Sequence, residues 1–266
     1  MSSILEKYNT RVDKVNSLLC VGLDADTSKI PERFLGKEFP QFEFNKWIIE
    51  ETHSFTGAYK PNIAFYEAKG DQGIRELKMT MEYLQKEHSD IFTILDSKRA
   101  DIGNTNKGYV ESTFDWFGFD AVTINPYLGF EAIAPFTERK DKISIVLCKT
   151  SNPGSGEFQN LLINEKPLWQ IVAEKVSELT KINNNLMMVV GATYPDEMKT
   201  IREVSGEVTF LVPGVGAQGG ELKDFLPTGL NSQKKGLIIN SSRGIIFSDN
   251  PAKEAEKLRN EINTFR

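Results

Sequence analysis

The chain has 266 residues, 39% of them hydrophobic, enough for one large core, and carries a formal charge of −5 with a pI near 5.3. That acidic balance argues against nucleic acid or an anionic membrane as the main partner, while a small anionic ligand held by local positive groups stays open. The cysteines Cys20 and Cys148 and the histidines His53 and His88 offer no metal-ligand spacing. No run reaches membrane-spanning length, and the charged start is no signal peptide; a cytoplasmic protein is expected.

Ile4, Leu5, Tyr8, Val12, Val15 and Leu18 keep helical spacing, so the chain opens with an amphipathic helix. Residues 18–23 form a continuous apolar run, a first buried strand ending at Asp24. A helix over 44–55 leads to a short strand at 58–62, closed by Pro61. Another helix over 74–87 leads to the run Ile91-Phe92-Thr93-Ile94-Leu95, which stops in Asp96, Lys98 and Asp101. If the strand continues, period-2 alternation puts Asp96 and Lys98 on one face. Residues 119–124 are a fourth strand ending in Asn125-Pro126-Tyr127, and 143–148 a fifth, followed by Lys149-Thr150-Ser151-Asn152-Pro153-Gly154.

The second half repeats the rhythm. A helix over 168–182 precedes a strand at 186–190, and Pro195 opens the next helix with acids in its first turn. A strand at 208–212 ends in Pro213-Gly214-Val215-Gly216-Ala217-Gln218. The last, at 237–239, ends in Asn240-Ser241-Ser242-Arg243-Gly244, and a helix over 251–265 follows.

Continuous rather than alternating apolar runs indicate parallel strands covered by helices. Eight such units in about 250 residues is the count of a single (β/α)8 barrel, of class α/β. A doubly wound sheet is the alternative, although it normally uses fewer strands. No linker or low-complexity tract divides the chain, so residues 1–266 are expected to form one barrel domain.

In a barrel, every strand's C-terminal end faces one mouth, where active sites lie. Collected there are Asp24, Lys60, Asn62, Asp96, Lys98, Asp101, Asn125, Thr150, Ser151, Gln218 and Arg243. Each alone is unremarkable in a loop; their joint placement points to a site. Gly214, Gly216, Gly219 and Gly220 can bring backbone N–H groups to an oxyanion. Arg243, after the last strand, can grip a phosphate bidentately, where barrels commonly bind one.

These residues resemble the orotidine 5′-monophosphate decarboxylase family over nearly the whole chain. The carriers are Asp96-Ser97-Lys98-Arg99-Ala100-Asp101-Ile102 with Thr105, Lys60-Pro61-Asn62, Leu23-Asp24, the Thr150 to Gly154 and Pro213 to Gln218 segments, and Ser241-Ser242-Arg243. The form resembled is the longer subgroup with K-P-N, N-P-Y and T-S-N-P-G segments. Ser242 departs from it, standing where relatives commonly carry glycine.

The resemblance implies cofactor-independent, metal-free decarboxylation of orotidine 5′-monophosphate to uridine 5′-monophosphate, the last step of de novo pyrimidine synthesis. Lys98 would protonate pyrimidine C6 as carbon dioxide leaves, within an alternating array of Lys60, Asp96, Lys98 and Asp101. Asp101, Ile102 and Thr105 would reach into the site of a partner subunit, making the working unit a homodimer with shared sites. Asp24, Asn62 and Thr105 would hold ribose hydroxyls, and Ser151 with Thr150 the pyrimidine. Gln218 and Arg243 would hold the phosphate, with Pro213 and Ser242 completing the substrate-binding set.

Three rival readings are weighed against this one. A metal-dependent sugar-phosphate barrel enzyme would share the phosphate grip and use Mg2+ on its carboxylates; Lys60-Pro61-Asn62 and Thr150-Ser151 speak against it. A non-catalytic nucleotide-binding barrel is disfavoured by the intact Lys98 and its two aspartates. A piece of a larger pyrimidine-synthesis fusion is disfavoured because no phosphoribosyltransferase-like segment is present.

Overall fold

A computed structural model describes residues 4–215 and 220–266. Eight strands close into a barrel: β1 (Leu19–Gly22), β2 (Ala58–Lys60), β3 (Phe92–Arg99), β4 (Ala121–Ile124), β5 (Ile143–Lys149), β6 (Leu186–Val190), β7 (Phe210–Val212) and β8 (Leu237–Ser241). Each pairs in parallel with its neighbours in sequence, and β8 returns to β1 through Leu19↔Ile239. The apolar runs that gave no alternation are buried on both faces, with the barrel interior on one side and the helical layer on the other.

The opening helix, Ile4–Val15, lies across the N-terminal end of the barrel. Tyr8 donates to the carbonyl of Leu237 at 2.6 Å, Arg11 to that of Thr56 at 3.1 Å, and Lys7 pairs with Asp120 at 2.7 Å. All three partners stand at or just before the start of a strand, so this helix closes the end remote from the strand C-termini. The opposite mouth is left to the loops. Among the described residues, no helix is long and apolar enough to cross a membrane.

Each helix read from sequence is present, with ends moved by a few residues; that before β3 runs Gly70–Glu87. Strands β4 and β7 begin two residues later than their apolar runs, at Ala121 and Phe210. A hairpin of Leu162–Ile163 and Lys166–Pro167 was not foreseen, nor was the helix Gly103–Val110, which continues as a π-helical turn over Glu111–Phe117.

Candidate active site

The mouth holds a cleft of about 760 Å³ lined by residues on or just after all eight strands, among them Asp24, Lys60, Asp96, Thr150, Pro213 and Arg243. At its floor, Asp96 on β3 is almost buried and receives four donors. Its Oδ2 accepts from Lys60 Nζ at 3.0 Å and from Asn62 Nδ2 at 3.4 Å. Its Oδ1 accepts from Lys98 Nζ at 2.6 Å and from Thr123 Oγ1 at 2.9 Å. Asp24 is tied in through its Oδ1, which accepts the Asn62 backbone N–H at 3.2 Å.

The electrostatics follow from this packing. Burial pushes the Asp96 carboxyl up, but the ammonium groups of Lys60 and Lys98 outweigh it and hold the carboxyl well below the usual carboxylate range. Burial pulls Lys60 down, and the charges of Asp96 and Asp24 overcome that and leave it raised. Cys20, beneath the site, is pushed up to about 12 by burial and stays a thiol. The two lysines differ in access: the Lys60 side chain is 5% exposed, that of Lys98 47%. Of these two lysines, Lys98 is the one open to a ligand.

A depressed carboxyl contributes stability above the ordinary carboxylate range and loses it as pH falls through the folded-state value. Asp96→Asn should therefore lose ~3–5 kcal/mol at neutral pH, since the buried Lys60 ammonium loses its counter-charge. It should also lose less further stability than the parent below about pH 4. Thermal unfolding of both proteins between pH 7 and pH 3 checks this. Parallel curves would show that Asp96 carries no such linkage.

The period-2 expectation for Asp96 and Lys98 needs a correction. The two side chains do meet, but not by regular alternation: Lys98 sits at φ +49°, in the left-handed region, and the pairing of β3 with β4 slips between Leu95 and Arg99. For a residue with a Cβ that conformation costs on the order of 1–3 kcal/mol unless its surroundings impose it.

Around the cleft, Thr150 is fixed by Gln159, whose Oε1 accepts the Thr150 N–H at 3.0 Å and whose Nε2 donates to Thr150 Oγ1 at 2.8 Å. Thr150 in turn donates to Asn152 at 2.7 Å. Ser151 passes so close to Gly191 that a Cβ there would lie 2.8 Å from the serine Cβ, which requires glycine at 191. Pro213, Ser242 and Arg243 line the other end of the cleft. Ser242 fits because Gly22 faces it: a Cβ on Gly22 would meet the Ser242 Cβ at 2.7 Å. Gly214 has φ +94° and accepts the Gly220 N–H at 3.3 Å, pinning the two ends of the glycine-rich loop. Gly216, Gln218 and Gly219 lie outside the described residues.

Asp101, Ile102 and Thr105 do not line this cleft. Buried Asn106 pins the Asp101 backbone: its Oδ1 accepts the Asp101 N–H at 2.8 Å, and its Nδ2 donates to the carbonyls of Asp101 and Ala132. The Asp101 carboxylate accepts the next N–H, of Ile102, at 2.7 Å and does not cap the helix Gly103–Val110. Ile102 is 62% exposed, and Tyr127 and Leu128 on the loop after β4 are exposed as well.

Thr123, Gln159 and Asn240 belong to the cleft and were not singled out from sequence. A lone threonine in an apolar strand reads as a β-branched strand former. Among the described residues, no group of three or more His, Cys, Asp or Glu is placed to hold a metal ion.

Residues 17–258 match the model of the orotidine 5′-phosphate decarboxylase / HUMPS family. An orotidine 5′-phosphate decarboxylase of Christiangramia forsetii is 45% identical over 251 residues, covering 94% of this chain and 92% of that protein. One from Cellvibrio japonicus is 41% identical over 99% of both. Among solved structures, Leishmania donovani OMP decarboxylase superposes with a TM-score of 0.89 at 36% identity, covering 99% of each chain.

Proposed function

We infer how the site works from the premise that this chain belongs to the orotidine 5′-phosphate decarboxylase / HUMPS family. The chain is a carboxy-lyase that converts orotidine 5′-monophosphate to uridine 5′-monophosphate in pyrimidine biosynthesis. In our proposal Lys98 delivers the proton. The observation that carries this is the Lys60–Asp96–Lys98 array on the cleft floor, with one ammonium buried and the other open.

Losing carbon dioxide from C6 leaves an electron pair on an sp2 carbon, and the pyrimidine ring offers no electron sink. The reaction therefore needs a fixed positive charge where the negative charge develops, and a proton for the carbon. The Lys98 ammonium supplies both. Asp96 fixes its position, while Lys60 and Asn62 fix Asp96.

Asp24 and Asn62, linked to each other, are assigned the ribose hydroxyls, Ser151 and Thr150 the pyrimidine, and Arg243 with Gln218 the phosphate. Pro213 and Ser242 complete the contacts. Phosphate binding far from C6 supplies energy to close and dry the site around the ring. The decisive assay is purified protein with orotidine 5′-monophosphate and a chelator, following loss of the pyrimidine absorbance. Full turnover supports the reading. Turnover that vanishes with chelator and returns with Mg2+ supports the metal-dependent alternative instead.

A homodimer with shared sites completes the proposal, in a cytoplasm that keeps the buried Cys20 and Cys148 reduced. Its support is that Asp101, Ile102 and Thr105 stay off their own cleft, and that Ile102 presents apolar surface outward. Two-fold symmetry lets each copy give these residues to the other. Mixing Lys98→Ala with Asp101→Ala subunits then puts both lesions in one site and leaves the other intact. Random exchange should restore about a quarter of the parent's active sites. If mass spectrometry confirms exchange and the mixture stays inert, Asp101 serves its own subunit.

A further inference from the structure

The pairing defect beside Lys98 has an identifiable cause. Leu95 pairs with Val122 and Arg99 with Ile124, so four steps along β3 span two along β4. The backbone N–H groups of Ser97 and Lys98 therefore find no carbonyl on β4. Both turn to one atom, the hydroxyl oxygen of Thr123, at 3.0 and 2.9 Å. Thr123 is 1% exposed, so water is no substitute partner.

A hydroxyl has one hydrogen and two lone pairs. With both lone pairs taken by N–H donors, its hydrogen has one destination: Asp96 Oδ1, at 2.9 Å, the same oxygen that accepts from Lys98 Nζ. Thr123 thus binds the backbone that carries Lys98 and the carboxylate that orients the Lys98 ammonium.

We propose that Thr123 is the positioning residue for proton delivery: its hydroxyl imposes the left-handed backbone at Lys98 and turns Asp96 to aim the ammonium at the reacting carbon. This rests on the assignment of Lys98 as proton donor. The chemistry needs such a device, because an ammonium about 1 Å off line loses on the order of 100-fold in rate. Thr123 bonds the Asp96 oxygen that Lys98 uses and none of the residues assigned to phosphate or ribose, so the defect should appear in turnover and leave affinity nearly unchanged.

Thr123→Val keeps the shape and β-branching of the side chain and removes the hydroxyl. It should lower kcat by ~100-fold with KM within ~3-fold of the parent. Thr123→Ser, which restores the oxygen, should return kcat to within ~5-fold. A crystal structure of Thr123→Val should show Lys98 at negative φ. The proposal is overturned if Thr123→Val keeps kcat within ~3-fold, if its loss falls wholly in KM, if serine fails to rescue, or if Lys98 keeps its positive φ without the hydroxyl. A parent protein inert toward orotidine 5′-monophosphate would sink the Lys98 assignment instead, and the crystallographic arm would still decide whether Thr123 sets the backbone.

Discussion

Lys98→Ala is expected to lower kcat by at least about 10⁴-fold, roughly 5 kcal/mol of transition-state stabilisation, while the barrel stays folded. The size follows from losing two effects at once. A general acid contributes ~10²–10⁴-fold, and a preorganised charge at the developing carbanion a further ~10²–10³-fold. Lys60 cannot take over: it is buried on the far oxygen of Asp96. The fold should survive because the Lys98 side chain is half open and Asp96 keeps Lys60, Asn62 and Thr123 as donors. Steady-state kinetics beside a thermal unfolding curve check both halves. A folded variant retaining more than about a hundredth of the parent rate would remove Lys98 from the mechanism.

Arg243→Ala should fail in a different way. Arg243 stands after β8, across the cleft mouth from the β3 floor, and is exposed in the free chain. In the proposed phosphate grip it would form a charge-assisted pair whose truncation costs ~2–5 kcal/mol, a drop of ~30- to ~5,000-fold in kcat/KM. The larger share should appear as a raised KM, with part in kcat to the extent that phosphate binding drives closure around the ring. Added guanidinium should recover part of the loss. Measuring kcat/KM for substrate with and without its phosphate decides the matter: the variant should discriminate between them far less than the parent does. Undiminished discrimination would assign the phosphate to other groups.

Much of this was legible in the sequence because a closed parallel barrel leaves a simple trace. Strands buried on both faces read as unbroken apolar runs, and the polar residue ending each run falls at one mouth. Asp24, Lys60, Asp96, Thr150 and Arg243 were found that way, and all line the cleft.

What escaped was local chemistry without a composition signal. The hairpin turns through Asn164 and Glu165, both at positive φ, with none of the glycine that usually marks such a turn. The helix Leu222–Gly229 carries Pro227 in its last turn, where sequence reasoning expects a break. Thr123 was invisible for a deeper reason: its role depends on a register slip in a neighbouring strand, and a slip leaves no mark on either sequence. The left-handed Lys98 is the same event seen from β3.

The central claim, that the Lys98 ammonium exchanges its proton with pyrimidine C6, can be tested without decarboxylation. Protonation of the C6 carbanion run in reverse removes the C6 hydrogen of bound uridine 5′-monophosphate, so in D2O the enzyme should replace it with deuterium. The C6–H proton NMR signal of uridine 5′-monophosphate should fade with the parent protein and persist with Lys98→Ala at a concentration that saturates the nucleotide. Exchange by Lys98→Ala at the parent rate would mean that another group handles the proton.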